Sequence, residues 1–237
     1  MQDIVAERAF YEKLFEKDKR NVHITEGYDE LYDIVFPKQG SGELIDLGCG
    51  TGAHSIRLAE RGFTVTSVDL TWRGVVAARE RFREKGLEVD VVVADAENLP
   101  FRAGSFDIAW TSLLLHHFPV LDRLPVELAR LVRHSVVAFE PNAGNVLSWL
   151  AFNIINPIWG ISSTTKNQRA LWPNALHAVF ARNGFKIGKF EYVHRVWADK
   201  ESSARVVRAI AYAIISVLPL RFKANKFIVT YEKTAAA

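Results

Sequence analysis

A chain of 237 residues with 49% apolar and 24% charged side chains has the composition of a globular protein able to bury a sizeable core. Its thirty basic and twenty-seven acidic residues leave a net charge of +3, and this excess is too small to argue for a nucleic-acid partner despite a pI near 9.0. The single cysteine, Cys49, excludes an intramolecular disulfide and a cysteine-based zinc cluster, and it suits a reducing, cytoplasmic setting.

The N-terminal stretch MQDIVAERAFYEKLFEKDKR mixes charges through its apolar positions and lacks the uninterrupted apolar core of an export signal. Residues 1–40 read as a helical cover, with Phe10, Leu14 and Phe15 followed by Tyr28, Leu31, Tyr32 and Val35 at near-helical spacing. From Glu43 to Glu140, short β-branched runs alternate with helical stretches: LIDLG, HSIRLAERG, FTVTSVDL, WRGVVAARERFREKG, EVDVVVAD, FDIAWTSL, LDRLPVELARLVR and SVVAFEP. This alternation predicts an α/β fold, a doubly wound, mostly parallel sheet with helices on both faces. Pro173 to Asn183 reads as a helix bounded by a proline and Gly184, and Phe185 to Val193 and Lys226 to Tyr231 read as strands. No repeat, linker or low-complexity stretch interrupts residues 1–237, which read as a single domain.

The strongest chemical signal is Asp46-Leu47-Gly48-Cys49-Gly50-Thr51-Gly52, between a strand and a helix that begins near Ala53. Glycines there permit positive φ and close approach of a ligand, and a helix N-terminus offers N–H groups and the positive end of a dipole, a cradle for an anionic group. Gly48, Gly50 and Ala53 also satisfy the G-x-G-x-x-A spacing of dinucleotide-binding folds, so a nicotinamide-dependent oxidoreductase stays open on the glycines alone. Asp46 separates the readings, because a carboxylate at that place would crowd a pyrophosphate but could hold the ammonium of a methionine-like ligand, directly or through water. Asp69, at the end of the second strand, can accept from both hydroxyls of a ribose. Asp95, after the third, can accept from the amino group of adenine while Leu70 packs the ring. Taken singly, Asp69 and Asp95 also suit helix caps or turns.

The segments LIDLGCGTGAHSIRLAERGFTVTSVDL and VVADAENLPFRAGSFDIAWTSLLLHHF resemble the class I S-adenosylmethionine (SAM)-dependent methyltransferases, close to the small-molecule "type 11" group. The resemblance covers Leu44 to Pro141 and implies a Rossmann-like sheet of seven strands, the last antiparallel, with SAM as cofactor and S-adenosylhomocysteine as product. It assigns the methionyl end to Asp46, Gly48, Gly50 and Gly52, the ribose to Asp69, and the adenine to Asp95 and Ala96. Cys49, Leu70 and Ser112 complete the expected cofactor contacts.

Methyl transfer from a sulfonium needs alignment and exclusion of water above all, and a general base only when the acceptor must lose a proton. His116 and Glu140, just beyond the fourth strand and at the end of the fifth, are the candidate bases. A pocket-lining histidine and a turn-forming glutamate are their plainer readings. Two apolar insertions, residues 142–172 and 195–224, stand where the resemblance places the acceptor site. The first carries Val146, Leu147, Trp149, Leu150, Phe152, Ile154, Ile155, Ile158, Trp159 and Ile161. The run Ala209 to Leu220 is shorter than the roughly 20 residues needed to cross a bilayer, yet its flanking Arg205, Arg208, Arg221, Lys223 and Lys226 suit a lipid surface. A small, apolar acceptor (lipid-, quinone- or terpenoid-like), peripheral membrane contact and a homodimer interface are the expectations these insertions raise. A SAM-binding protein without transfer activity remains the other rival.

Overall fold

The computed structural model describes residues 4–17, 29–145, 149, 168–193 and 219–234. Its centre is a seven-stranded sheet made of β1 (Glu43–Leu47), β2 (Thr64–Asp69), β3 (Asp90–Val93), β4 (Phe106–Ser112), β5 (Val132–Pro141), β6 (Phe185–Val193) and β7 (Lys226–Lys233). The strand order is β3-β2-β1-β4-β5-β7-β6, and β7 runs antiparallel to both its neighbours while every other pair is parallel. The chain winds outward from β1 to β3, then returns to start again at β4 on the other side of β1. That reversal opens a crevice between the carboxyl ends of β1 and β4, the place where doubly wound sheets bind ligands.

The period of two along the strands sorts side chains onto two faces. Ile45, Leu47, Ala109, Val136 and Ala138 join one core with Leu124, Leu128 and Leu131 of α5 (Arg123–Leu131) and Phe180 of α6 (Pro173–Arg182). Leu44, Trp110, Val137 and Phe139 form the other with Leu31, Tyr32 and Phe36, from and just after α2 (Asp29–Val35), and Leu58 of α3 (Ala53–Glu60). Asp46 and Ser112 share the parity of Leu44 and Trp110, so they fall on the face of α2 and α3. The crossover helix α4 (Trp72–Glu84) is N-capped by Thr71, which accepts from the Gly74 amide, and it packs Phe82 and Ala78 against Ile56 of α3.

An N-terminal helix, α1 (Ile4–Lys17), lies against α4. Glu12 accepts from the Trp72 and Arg73 amides at 2.7 and 3.2 Å, so its carboxylate meets the free donors and positive dipole end of α4.

The LDRLPVELARLVR helix ends earlier than the sequence pattern suggests. α5 stops at Leu131, and β5 begins at once with Val132, which pairs with Phe106. The β-branched residue continues the sheet instead of the helix. Lys233 of β7 donates to the carbonyls of Ala129 and Val132 at 2.7 and 2.9 Å and so satisfies the helix end that the missing loop leaves bare. The apolar runs 150–161 and 209–218 lie outside the described residues, as do Val146 and Leu147. A short helix, α7 (Leu220–Lys223), leads into β7.

Candidate functional site

The glycine loop leaves β1 with three left-handed residues, Gly48 at φ 72°, Gly50 at φ 53° and Gly52 at φ 76°. A side chain at Gly52 would strike the Phe82 ring, and one at Gly48 would press on Leu114, so the turn needs glycine for space as well as for φ. Four of the loop amides are bonded within the protein. Gly48 and Cys49 donate to the Val68 carbonyl at 2.8 and 3.0 Å, Gly50 to Asp69 Oδ2 at 2.8 Å, and Gly52 to the Cys49 carbonyl at 2.8 Å. Of the expected anion cradle, these four donors are therefore spent on the protein, and the amides of Thr51, Ala53 and His54 at the start of α3 are the ones with no partner among the described residues. Cys49 is buried and its thiol is pushed well above its ordinary range by desolvation, which removes it as a nucleophile.

Asp69 binds three donors, the Gly50 amide on Oδ2 and the Thr71 amide and hydroxyl on Oδ1 at 2.9 and 2.7 Å. A carboxylate has about four lone-pair sites, so one remains on Oδ2, enough for a single hydroxyl rather than two independent ones. Burial raises its pKa against the pull of those bonds. Asp46, 1% exposed, sits beneath the loop, where it accepts from Ser55, and Ser55 in turn accepts from Ser67 at 2.8 Å. Desolvation lifts the Asp46 carboxyl to about 7. Buried in this way, its oxygens are closed to open contact, and what Asp46 offers across the loop is charge. Asp95 accepts from the Glu97 amide at 3.0 Å while the Asn98 amide returns to its carbonyl, so it closes a turn and keeps Oδ2 unused among the described residues. Leu70 and Ala96 are half-buried at the ends of β2 and β3, on the line from Asp69 to Asp95.

Beyond β4 the chain turns sharply. Leu113 takes φ 54°, a left-handed conformation that costs a non-glycine residue about 1 kcal/mol or more, and donates to the Phe139 carbonyl. The turn aims the amides of Leu114 and Leu115 at Glu140 Oε1, at 3.0 and 2.7 Å. Glu140 is fully buried, and its other oxygen lies 2.8 Å from His116 Nδ1. The two candidate bases are therefore one unit: Glu140 is held by two backbone donors and fixes the proton of His116 on Nδ1, leaving Nε2 as an acceptor. Burial draws the His116 pKa down and Glu140 pulls against it.

A second histidine–acid pair stands beside the first. His117 Nδ1 lies 2.6 Å from Glu7 of α1, and the two imidazoles are 4.2 Å apart between centroids. Tyr11 of α1 approaches His117 and accepts from Gln168 at 2.9 Å, and the Phe15 ring lies over Gly50 and Gly74. Thus α1 reaches both the glycine loop and the histidines. Sequence reasoning missed Glu7, Tyr11, Gln168 and His54. Glu7, Tyr11 and Phe15 do stand four apart, a helical stripe that was readable; His54 and Gln168 carried no signal.

Residues 45–139 match a family model described as "Methyltransferase domain". The stretch from β1 to the end of β5 is thus the part of the chain identified with the SAM-dependent methyltransferases. Over 107 residues the chain is 38% identical to nocamycin O-methyltransferase of Saccharothrix syringae, across 44% of this chain and 38% of that protein. Over 168 residues it is 30% identical to the malonyl-[acyl-carrier protein] O-methyltransferase of Geobacter sulfurreducens, across 70% of this chain and 54% of the other. The chain thus spans well under two thirds of the length of these curated relatives. Its fold matches magnesium protoporphyrin IX methyltransferase from Synechocystis PCC 6803, solved with bound S-adenosylhomocysteine, at a TM-score of 0.68 and 15% identity over 98% of this chain and 100% of that one. The spent loop amides agree with SAM, the family's cofactor, which carries no phosphate to claim them.

Proposed function

We propose that this protein transfers the methyl group of SAM to an oxygen of a small, largely apolar acceptor, with His116 as general base. The observation that carries the base assignment is the His116–Glu140 pair, locked by the Leu114 and Leu115 amides. SAM, when bound, supplies an electrophilic methyl on a sulfonium that leaves as a neutral thioether. The turn of Gly48, Gly50 and Gly52 brings backbone against its methionyl end, Asp46 supplies negative charge below it, Asp69 holds a ribose hydroxyl, and Asp95 with Leu70 and Ala96 holds the adenine. His116 Nε2 takes the proton of an acceptor hydroxyl as that oxygen is methylated, and Glu140 steadies the imidazolium that results. α1 covers the site and keeps water from it.

The named O-methyltransferase relatives support oxygen as the methylated atom. The apolar acceptor rests on the sequence of residues 142–172 and 195–224, with Trp149 and Trp172 exposed at the described edges of the first. Among the described residues no helix is long and apolar enough to cross a membrane, so contact with a bilayer would be peripheral, through the basic flanks of 209–220. Transfer from labelled SAM to prenylated, lipid and small polar hydroxyl acceptors, with and without anionic liposomes, tests the reading. Preference for polar acceptors overturns the apolar assignment, and absence of any transfer by a protein that binds SAM leaves a non-catalytic SAM-binding protein.

A further inference from the structure

A polar chain that the reaction as described does not use runs from α2 to the mouth of the crevice. The hydroxyl of Tyr32, whose side chain is fully buried, lies 2.6 Å from His54 Nδ1, and His54 Nε2 lies 2.9 Å from Ser112 Oγ. Trp110 packs beside the imidazole at 5.4 Å and Tyr32 at 6.0 Å, so the ring is wedged between its two partners. Desolvation holds the His54 pKa at about 3, leaving the ring neutral with one N–H to place.

The neighbours decide which nitrogen carries it. Burial keeps the Tyr32 phenol protonated, and among the described residues Nδ1 is its one acceptor. Tyr32 therefore donates to Nδ1, the ring proton sits on Nε2, and Nε2 donates to Ser112 Oγ. Ser112 receives a hydrogen bond from His54 and still has its own proton to give, which no described residue accepts. It is half-buried at the end of β4, and Leu47 pairs with Thr111 in register, so Gly48 lies across from Ser112 at the crevice.

We propose that His54 is a positioning residue that turns Ser112 into a hydrogen-bond donor for the carboxylate of the cofactor's amino-acid end. The inference rests on the SAM reading above. Chemistry selects the carboxylate: the ammonium and the sulfonium accept nothing, and the ribose and adenine belong near Asp69 and Asp95. β2 is two strand spacings, about 10 Å, from β4, so those groups lie beyond the reach of Ser112. A reversed imidazole, with its proton on Nδ1, would accept the serine's own proton at Nε2 and leave Ser112 none to offer, which is the physical reason for a buried phenol that donates to Nδ1.

Calorimetric binding of S-adenosylhomocysteine and of 5′-methylthioadenosine, which keeps the adenosine and thioether but lacks the amino-acid end, tests the proposal. Ser112→Ala and His54→Phe should each weaken S-adenosylhomocysteine roughly tenfold or more and leave methylthioadenosine unchanged. His54→Gln, whose side-chain amide can still donate, should recover part of the loss. ¹⁵N NMR should find the His54 proton on Nε2 and find it redistributed in Tyr32→Phe. Ser112→Ala and Tyr32→Phe remove only an oxygen each, so they carry the test where a His54 variant does not fold. Equal losses for both ligands, no loss for either, or a proton on Nδ1 overturns the positioning role. A wild-type protein that binds neither ligand overturns the cofactor reading itself.

Discussion

The two halves of the crevice are built on opposite logic. On the side of β1, β2 and β3, the protein spends most of its loop donors on itself and keeps carboxylate lone pairs in reserve: the amides of Gly48, Cys49, Gly50 and Gly52 are all bonded internally, while Asp69 and Asp95 each retain an oxygen site among the described residues. On the side of β4 and β5, acids are spent on histidines, Glu140 on His116 and Glu7 on His117, so that paired imidazoles line this side instead, with Nε2 of His116 left as an acceptor. The first half is suited to a ligand rich in donors and positive charge. The second is suited to moving a proton. Removing one group from each half should therefore separate binding from turnover.

The largest effect is expected at the acceptor half. His116→Asn should lower kcat by about 10²–10⁴-fold while S-adenosylhomocysteine affinity stays near wild type. Glu140→Gln should lower kcat too, and Glu140→Ala should in addition cost stability, because the Leu114 and Leu115 amides lose a buried acceptor at about 1–3 kcal/mol each. A His116 variant that loses cofactor affinity in step with rate would erase the distinction between the halves.

At the cofactor half the expected loss is in binding. Asp69→Asn replaces a charged acceptor by an amide that must turn one donor toward Gly50 or Thr71. It should weaken S-adenosylhomocysteine by roughly tenfold or more, one charge-assisted hydrogen bond being worth about 1.5–3 kcal/mol, with a lower Tm as the second readout. Unchanged affinity in a folded variant would make Asp69 a loop-closing residue and nothing more.

This division also explains what could be read without coordinates. The cofactor half is assembled from residues 46–98, where each strand end follows the last by one crossover and the glycines announce positive φ. The doubly wound sheet follows from the same alternation, while the count of seven strands and the antiparallel last strand came with the resemblance to the methyltransferases. The acceptor half is assembled from partners 24 residues apart in Glu140–His116 and 110 in Glu7–His117, and the His54–Ser112 pair that brings β4 to the cofactor spans 58. His116 and Glu140 each stood out in the sequence, yet no spacing rule joins them, and no rule sends a tyrosine of α2 behind a histidine of α3. The end of α5 was misjudged for a related reason: Val132 suits a helix by its neighbours and a strand by its partner Phe106, and the partner wins.

Acid–base behaviour offers a gentler probe of the cofactor half. Asp46 titrates near 7 in the fold against 3.8 when free, so between those values the native state holds more protons than the unfolded one. Stability should fall as pH rises across that window, since ionising Asp46 beneath the loop costs desolvation. Ligand binding should run the other way: the cationic cofactor favours the carboxylate, so SAM affinity should rise relative to S-adenosylhomocysteine as pH passes through about 7. Calorimetry at pH 6 and pH 8 reads this ratio, and Asp46→Asn should flatten it. A ratio that does not move in wild type would place Asp46 outside the ligand's field.

The smallest effect separates the ways α1 is attached. Arg73 pairs with Glu12 and Glu16 at 3.5 and 3.0 Å, but it is nearly half-exposed, and such pairs contribute about 0–1 kcal/mol. Glu12 also closes the N-terminus of α4 through two backbone donors, a contact of about 0.3–1 kcal/mol from the dipole alone, with the unsatisfied amides added when it is removed. Arg73→Ala should accordingly leave Tm and the dissociation rate of S-adenosylhomocysteine almost unchanged, while Glu12→Ala should lower the first and raise the second. The asymmetry matters because α1 touches both halves, holding Gly50 through Phe15 and His117 through Glu7. If Arg73→Ala released α1 as readily as Glu12→Ala, surface charge would be what closes the site. If only Glu12→Ala does, closure is set where a helix terminus needs an acceptor, and salt should alter ligand release very little.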